Sequence, residues 1–280
     1  MTDYGPPWDR HGQPGAGGAT GPDDLPGDVQ SYLSELVRRV RDVYGDRLVS
    51  VGAVGSLALG DYRHGRSDID IAVVVDPSAP VPAAHELAQA LAHPGFRCPA
   101  AGLELVVYDA DFAVSGAPGA GYLLNLNTGP LLPAVADYDP GGTQGFWFVI
   151  DRAVGQQSGW TLAGRSIREA LGAPARRDLL AAVAESVREH AAGQGHLADN
   201  RVLNGCRSVL YCRTGRWAAK RAAGRSIAAA EPRFRPVVDR ALRSFERPRG
   251  EARDLPVEEV NSFLSWVRRD VDRVCGVVGS

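Results

Sequence analysis

The sequence predicts an α+β protein in two parts, with strands and helices mixed in the first part and helices throughout the second. Two runs of apolar, largely β-branched residues, 48–54 and 69–75, have the composition of buried strands. A third run of this kind, 103–108, follows a stretch with helical periodicity. From about Arg176 onward the apolar residues recur at helical spacing almost to the end of the chain.

The first part is expected to begin after a disordered tail formed by residues 1–28. This segment holds seven glycines and five prolines with almost no aliphatic residues, which is too little apolar surface to offset the entropy lost on ordering. A helix is predicted to begin near Val29, where one apolar stripe follows. The third strand is preceded by a predicted helix over 83–93, and 115–142 is rich in Gly, Pro, Asn and Asp, which predicts loops that line a cleft.

The two parts are predicted to be domains over 29–174 and 175–280. The second contains four predicted helices, at 177–191, 200–213, 234–248 and 256–276.

The segment 201–250 of the second part is strongly basic, with thirteen Lys or Arg against three acidic residues, in a chain whose formal net charge is -2. Such a field attracts phosphate-rich ligands, although an arginine-rich chain also places Arg on exposed helix faces without any such role. Lys220 stands apart because it is the only lysine among 31 basic residues. A compact ammonium at this one position predicts a phosphate contact.

The composition is that of an ordinary globular chain, with 44% hydrophobic and 23% charged residues among 280. No run is long and apolar enough to predict a membrane span, and no signal peptide is predicted. The four cysteines have no Cys-x-x-Cys spacing, so they are predicted to be free thiols. Together these features predict a cytoplasmic protein.

The second predicted strand opens on an Asp-x-Asp motif, Asp68 and Asp70. Side chains alternate along a strand, so both carboxylates point the same way while Ile69 turns into the core. Upstream, Gly55 lets the backbone approach a phosphate closely and Ser56 supplies a hydroxyl. The pattern predicts a phosphate-gripping turn beside two converging carboxylates, the alternative being acidic residues that only cap a turn.

Converging carboxylates repel each other unless a cation lies between them. Magnesium is suited to that place, because it takes a few carboxylates and keeps its other positions for water and substrate phosphates. We therefore predict that Asp68 and Asp70 are metal ligands and catalytic residues.

A strand, a Gly-Ser, a loop and an Asp-x-Asp motif that opens the next strand resemble the DNA polymerase β-like nucleotidyltransferase superfamily. The resemblance implies a small mixed sheet flanked by helices, with a third carboxylate on a later strand. Glu104 lies in the strand predicted over 103–108, where a glutamate is costly to bury without a partner or a metal. It is the predicted third carboxylate and a further metal ligand, the alternative being a solvent-facing Glu on an edge strand.

The second half of the chain resembles the aminoglycoside adenylyltransferases of the streptomycin and spectinomycin type. The residues that carry this resemblance are Leu203-Asn204-Gly205-Cys206-Arg207, Tyr211, Thr214-Gly215-Arg216 and Lys220, with Asn125 to Pro130 and Trp147 to Arg152 in the first part. The resemblance covers roughly residues 30–275.

The resemblance implies an Mg²⁺-dependent enzyme that transfers AMP from ATP to a hydroxyl of the drug and releases pyrophosphate. Glu104 is then the base that accepts the hydroxyl proton, and Asp68 and Asp70 hold the metal. The residues implied to contact the nucleotide are Gly55, Ser56, Ser67, Arg207 and Lys220. The second domain is expected to close over the nucleotide and acceptor cleft.

Acidic residues at the start of the Arg-bearing helix bind the drug in this family, and Asp199 lies near that position. The tryptophan that the family uses has no evident counterpart, and the loop between Ser56 and Asp68 is about one residue longer than usual. The acceptor is therefore less defined than the chemistry. ATP and a small hydroxyl acceptor are the expected partners of the protein. It is predicted to bind neither nucleic acid nor membrane and to be a monomer.

Three other functions remain open from the sequence. The same nucleotide site suits an adenylyltransferase that acts on a protein or another metabolite, whose cleft would lack acidic residues. A nucleic-acid-binding module is a second possibility, given the basic segment 201–250, although no reading motif accompanies it. A non-catalytic protein of the same fold is the third, which the presence of all three carboxylates disfavours.

Overall fold

The structure, a computed structural model, describes residues 22–193 and 197–276. The chain divides into a first compact unit that ends at Pro174 and a second that begins at Ala175. The first unit mixes strands and helices and the second is helical, which confirms the predicted α+β fold class.

The described part of the first unit contains six strands and six α-helices. In chain order they are α1 (Gly27–Tyr44), β1 (Leu48–Ala53), α2 (Gly55–Ala58), β2 (Ile69–Val75), α3 (Val81–Leu91), β3 (Leu103–Asp109), α4 (Ala110–Ser115), β4 (Leu124–Thr128), β5 (Val135–Asp137), α5 (Phe146–Ser158), β6 (Trp160–Gly164) and α6 (Ile167–Ala170).

The strands form one mixed sheet in the order β5-β4-β3-β2-β1-β6. Only β2 and β3 run parallel among the described pairs, and α3 provides the crossover between them that a parallel connection needs. The other neighbours are antiparallel. The two strands predicted to carry the carboxylates are therefore adjacent at the centre of the sheet.

Both faces of the sheet are covered, and alternation along β2 sends its side chains to two different cores. Ile69 and Ile71 pack into a cluster with α1 and α3 on one face. Ala72 and Val74 pack on the other face, against residues of α4, α5 and α6. Because side chains alternate along a strand, Asp70 lies on this second face. It is the second residue of β2 and is half-exposed, at the margin of that core.

The start of the folded region corrects the predicted tail. Helix α1 begins at Gly27 and Leu25 is buried, so residues 22–28 are part of the fold. The carbonyl of Pro26 accepts hydrogen bonds from the N–H groups of Val29 and Gln30, which starts the helix two residues earlier than predicted. The rest of the predicted tail, 1–21, lies outside the described residues.

The region 115–142 is also more ordered than predicted, because it contains β4 and β5. Leu124 and Leu126 are buried while Asn125 and Asn127 are half-exposed, which is the alternation of a strand with one polar face. Loops were predicted here because this short alternating pattern is surrounded by many Gly and Pro residues. The hydroxyl of Tyr122 stabilises this region, since it donates a hydrogen bond to the carboxylate of Asp137.

The second unit consists of helices in its described part. They are α7 (Arg176–Ala192), α8 (Ala198–Thr214), α9 (Lys220–Ala230), α10 (Arg235–Phe245) and α11 (Val257–Cys275). Four of them match the predicted helices within a few residues, and α9 was not predicted. Its Gly224 packs so closely on α8 and α10 that a Cβ there would lie 2.9 Å from Leu203 and from Leu242.

Candidate functional site

The parallel pairing of β2 and β3 places Asp70 directly beside Glu104. Both side chains are half-exposed and occupy equivalent positions of the alternation, so they emerge on the same face of the sheet. Adjacent strands lie about 4.8 Å apart, and two like charges at that spacing destabilise each other. The pair is therefore suited to a bound cation.

The backbone of the Gly55-Ser56 turn lies against the carboxylate of Asp70. Gly55 has a φ of 54°, a left-handed conformation that glycine adopts without strain. A Cβ at this position would lie 1.8 Å from Oδ2 of Asp70, so any side chain there would displace the carboxylate. The N–H of Ser56 donates to the same Oδ2 at 3.3 Å, and the N–H of Val54 donates to the carbonyl of Asp70 at 2.9 Å. The turn and the start of β2 form one packed unit.

The hydroxyl of Ser56 is buried and has no hydrogen-bond partner among the described residues. Buried polar atoms in native proteins are nearly always paired, and an exception calls for a ligand or a water. This orphaned Oγ lies in the turn that touches Asp70. It is consistent with the predicted phosphate contact.

Ser67 has a different environment from that of Ser56. It is buried, its Oγ accepts a hydrogen bond from the N–H of Arg63 at 3.1 Å, and its own N–H donates to the carbonyl of Arg63 at 2.8 Å. These bonds close the turn that leads directly into Asp68. The structure gives Ser67 a role in shaping this loop, and its contact with a phosphate stays a prediction.

Asp68 is half-exposed and precedes β2 by one residue. Burial raises the pKa of the Cys98 thiol, and the charge of Asp68 adds to this effect. In the described part of the chain, no three His, Cys, Asp or Glu side chains converge into a ready-made metal centre. Magnesium commonly uses one or two carboxylates and completes its shell with water and phosphate oxygens, so the pair Asp70 and Glu104 fits it.

The two predicted cations of the second unit are each held by a neutral oxygen and an aromatic ring. The Nε of Arg207 donates to the carbonyl of Ala218 at 3.1 Å, and its guanidinium carbon lies 5.4 Å from the ring centre of Trp217. Lys220, the first residue of α9, donates from Nζ to Oδ1 of Asn200 at 3.3 Å. Its Nζ also lies 5.5 Å from the ring centre of Phe245.

Two family models match separate parts of the chain. A nucleotidyltransferase domain matches residues 33–94, a segment that includes the Gly-Ser turn and the Asp-x-Asp motif. The C-terminal domain of the aminoglycoside adenylyltransferases matches residues 171–269. The two matches support the predicted classification of the chain as an aminoglycoside adenylyltransferase. It is therefore an enzyme of the nucleotidyltransferase class, as predicted.

The fold of this adenylyltransferase is similar to a known crystal structure, that of spectinomycin adenyltransferase AAD(9) from Enterococcus faecialis with ATP and spectinomycin. The TM-score is 0.64 at 17% sequence identity, over 86% of this chain and 98% of that chain. No curated protein sequence matches the chain. None of the helices in residues 22–193 and 197–276 has the length and apolar character needed to cross a membrane.

Asp199, which was predicted to contact the acceptor, is held by hydrogen bonds in the second unit of this adenylyltransferase. The residue lies in the first turn of α8 and is fully buried. Its Oδ2 accepts a hydrogen bond from the hydroxyl of Ser244 at 2.6 Å, and that hydroxyl in turn accepts from the N–H of Arg253 at 2.9 Å. The carboxylate connects α8 to the end of α10, and its contact with the acceptor stays a prediction.

The Asp199→Ala variant is expected to lose about 1–3 kcal/mol of unfolding free energy, because the Ser244 hydroxyl loses its buried acceptor. Urea denaturation of Asp199→Ala, Ser244→Ala and the double variant measures the coupling, for which we expect roughly 0.5–3 kcal/mol. Glu258→Ala is the control, since this exposed acidic residue also lies in the first turn of its helix. Unchanged stability together with a weakened acceptor KM would return Asp199 to the acceptor site.

Asn127 is a neighbour of Glu104 that the sequence did not predict as a site residue. It pairs with Glu104 across the antiparallel β3–β4 ladder, so Glu104 is flanked by Asp70 on one side and by an amide on the other. The alternation of leucine and asparagine in β4 is the signal that indicates it. Neither Glu104 nor Asn127 lies within the two segments that match the family models.

Proposed function

We propose that this adenylyltransferase transfers AMP from ATP to a hydroxyl of an aminocyclitol antibiotic of the spectinomycin and streptomycin class, with Mg²⁺ bound. The observation that carries the proposal is the adjacency of Asp70 and Glu104 under the backbone of the Gly55-Ser56 turn. The acceptor class is supported by the match to the C-terminal domain of the family and by the likeness to a spectinomycin adenyltransferase.

The chain's carboxylates are assigned to the metal and to the proton. Asp68 and Asp70, with Glu104 beside them, would hold Mg²⁺, which when bound neutralises charge on the phosphates. Glu104 accepts the proton of the acceptor hydroxyl as general base, a role suited to a half-exposed carboxylate at the edge of the site. The acceptor oxygen bonds to the α-phosphorus of ATP, the bond from that phosphorus to the β-phosphate oxygen breaks, and pyrophosphate leaves.

The remaining site residues are proposed to hold the triphosphate. The unpaired hydroxyl of Ser56 and the close backbone at Gly55 suit phosphate oxygens. Arg207 and Lys220 are proposed to supply positive charge to the phosphates, and their contacts with aromatic rings and neutral oxygens hold that charge in place. Alignment and charge neutralisation are the main contributions of an enzyme to phosphoryl chemistry.

A second candidate acceptor is a protein or a less cationic metabolite, modified by the same nucleotide chemistry. The observation that favours it is the burial of Asp199, because the acidic group predicted to meet a polycationic drug bonds to Ser244 inside the second unit. The nucleotide site is the same in both proposals. Only the acceptor differs.

The test is pyrophosphate release from ATP and Mg²⁺ across a panel of aminocyclitol and aminoglycoside drugs. We expect release that depends on spectinomycin or streptomycin and on Mg²⁺, with none in buffer alone. Mass spectrometry of the product should show the drug with one added AMP. Tight ATP binding without release for any drug would overturn the drug as acceptor and favour the second candidate.

A further inference from the structure

The chain reverses direction after α8 and places two stacked aromatic rings, those of Tyr211 and Trp217, next to Arg207. Gly215 ends the helix in the left-handed conformation, with a φ of 70°, and its N–H donates to the carbonyl of Tyr211 at 2.7 Å. The reversal stacks the ring of Trp217 on that of Tyr211, with centroids 4.4 Å apart and planes within 17°. Tyr211 lies one turn after Arg207 on the same face of α8, so the stack forms a platform next to the guanidinium.

The guanidinium of Arg207 is constrained by this platform in two ways. Its carbon lies 5.4 Å from the centre of the Trp217 ring, within the range of a cation–π contact. Its Nε donates to the carbonyl of Ala218, the residue that follows the tryptophan. The planar guanidinium of arginine presents its N–H donors in a rigid arrangement. It binds an anion with a defined geometry when contacts in the free protein already fix the orientation of that plane.

The same segment also sets the position of Lys220. Only Ala218 and Ala219 separate Trp217 from this lysine, which begins α9. A tryptophan that is 7% exposed and stacked on Tyr211 anchors this short connection to α8. The ring that contacts Arg207 therefore also anchors the main chain that leads to Lys220.

We propose that Trp217 is a positioning residue for nucleotide binding, which holds Arg207, and through the following turn Lys220, in place for the phosphates of ATP. The inference rests on the proposed role of Arg207 in ATP binding. Trp217 acts through the two cations and does not itself touch the nucleotide.

The decisive measurement is the Kd of ATP with Mg²⁺, by calorimetry, for Trp217→Leu, Arg207→Ala and the double variant. Leucine keeps an apolar side chain but removes the aromatic face. We expect each single variant to weaken binding about tenfold. The double variant should bind ATP more weakly than Arg207→Ala, but by less than the product of the two single losses, because part of the effect of Trp217 acts through the arginine and the rest through Lys220. Trp217→Phe keeps an aromatic face and should restore affinity to within about threefold of wild type.

Trp266→Leu is the matched control for a loss of packing alone. Trp266 is also 7% exposed, lies in the same unit and contacts other arginines, Arg213 and Arg233. Thermal unfolding should show a loss of stability in both leucine variants, while the Kd for ATP changes only in Trp217→Leu. For turnover, Trp217→Leu should raise the KM for ATP far more than it lowers kcat.

The outcomes separate this inference from the proposed function. ATP affinity that falls in Arg207→Ala but not in Trp217→Leu would overturn the positioning role and leave the proposed function intact. Full additivity in the double variant would overturn it too, since the two residues would then act independently. A wild-type protein that does not bind ATP would overturn both, whereas ATP binding without drug-dependent turnover would overturn only the acceptor.

Discussion

The Asp70→Asn variant is expected to lose about 10³-fold or more of the rate of pyrophosphate release while it keeps its fold. Asparagine has nearly the same volume, and its amide oxygen can still accept the hydrogen bond from the N–H of Ser56. The lost charge removes a proposed metal ligand next to Glu104. Loss of a metal ligand can remove several kcal/mol of transition-state stabilisation. Each 1.36 kcal/mol lowers the rate by about a factor of ten.

Steady-state release of pyrophosphate checks this prediction, with thermal unfolding as the test of the fold. Asp76→Asn is the matched control, because Asp76 directly follows the same strand and its Oδ1 accepts from the N–H of Ser78 in a surface turn. That variant should keep the wild-type rate. Titration of ATP with and without Mg²⁺ should also show that Asp70→Asn gains less affinity from the metal than wild type does. A wild-type rate in Asp70→Asn would remove this carboxylate from the active site.

The Gly55→Ala variant is expected to lose at least about 10²-fold in turnover. The added Cβ would lie 1.8 Å from Oδ2 of Asp70, so the carboxylate has to move. A shift of about 1 Å at a catalytic group is enough for a loss of this size. The positive φ adds strain of about 1–2 kcal/mol for a residue with a Cβ, so stability falls as well.

Gly65→Ala separates the displacement of Asp70 from backbone strain. Gly65 lies between α2 and β2 and also has a positive φ, 75°, but a Cβ there meets no atom within 4 Å. It should lose a comparable increment of stability and keep most of its activity. Equal loss of turnover in the two variants would mean that strain in the loop, and not the position of Asp70, determines the rate. A crystal structure of Gly55→Ala would show the displaced carboxylate directly.

The spacing of residues predicted which carboxylates lie on neighbouring strands, but it did not predict what surrounds the other proposed site residues. An Asp-x-Asp motif at the start of a strand and an acidic residue in a later apolar strand follow from alternation alone, and the register of β2 with β3 does bring Asp70 beside Glu104. The structure also confirms the predicted fold class, and the two family models support the predicted family. These features are local in the chain or depend on simple periodicity.

Features that depend on contacts between distant segments were not predictable. Asp199 has the sequence position of a ligand contact, yet the hydroxyl of Ser244 from another helix takes its carboxylate into the interior. Helix α9 is poor in large apolar residues, because Gly224 and its alanines pack closely against α8 and α10. The platform under Arg207 likewise depends on the reversal at Gly215, which sequence periodicity does not describe.

The position of Glu104 between β2 and β4 suggests how such an enzyme can diversify. On one side its neighbour is Asp70, locked against the Gly55 backbone, where almost any substitution is costly. On the other side β4 and β5 lead to the edge of the sheet, with half-exposed asparagines and an exposed Val135. Substitutions at the exposed edge of the sheet, as at Val135 of β5, would leave the pairing of β2 with β3 in place. The centre of the sheet is thus constrained by the carboxylate pair, while its β5 edge can tolerate changes of sequence.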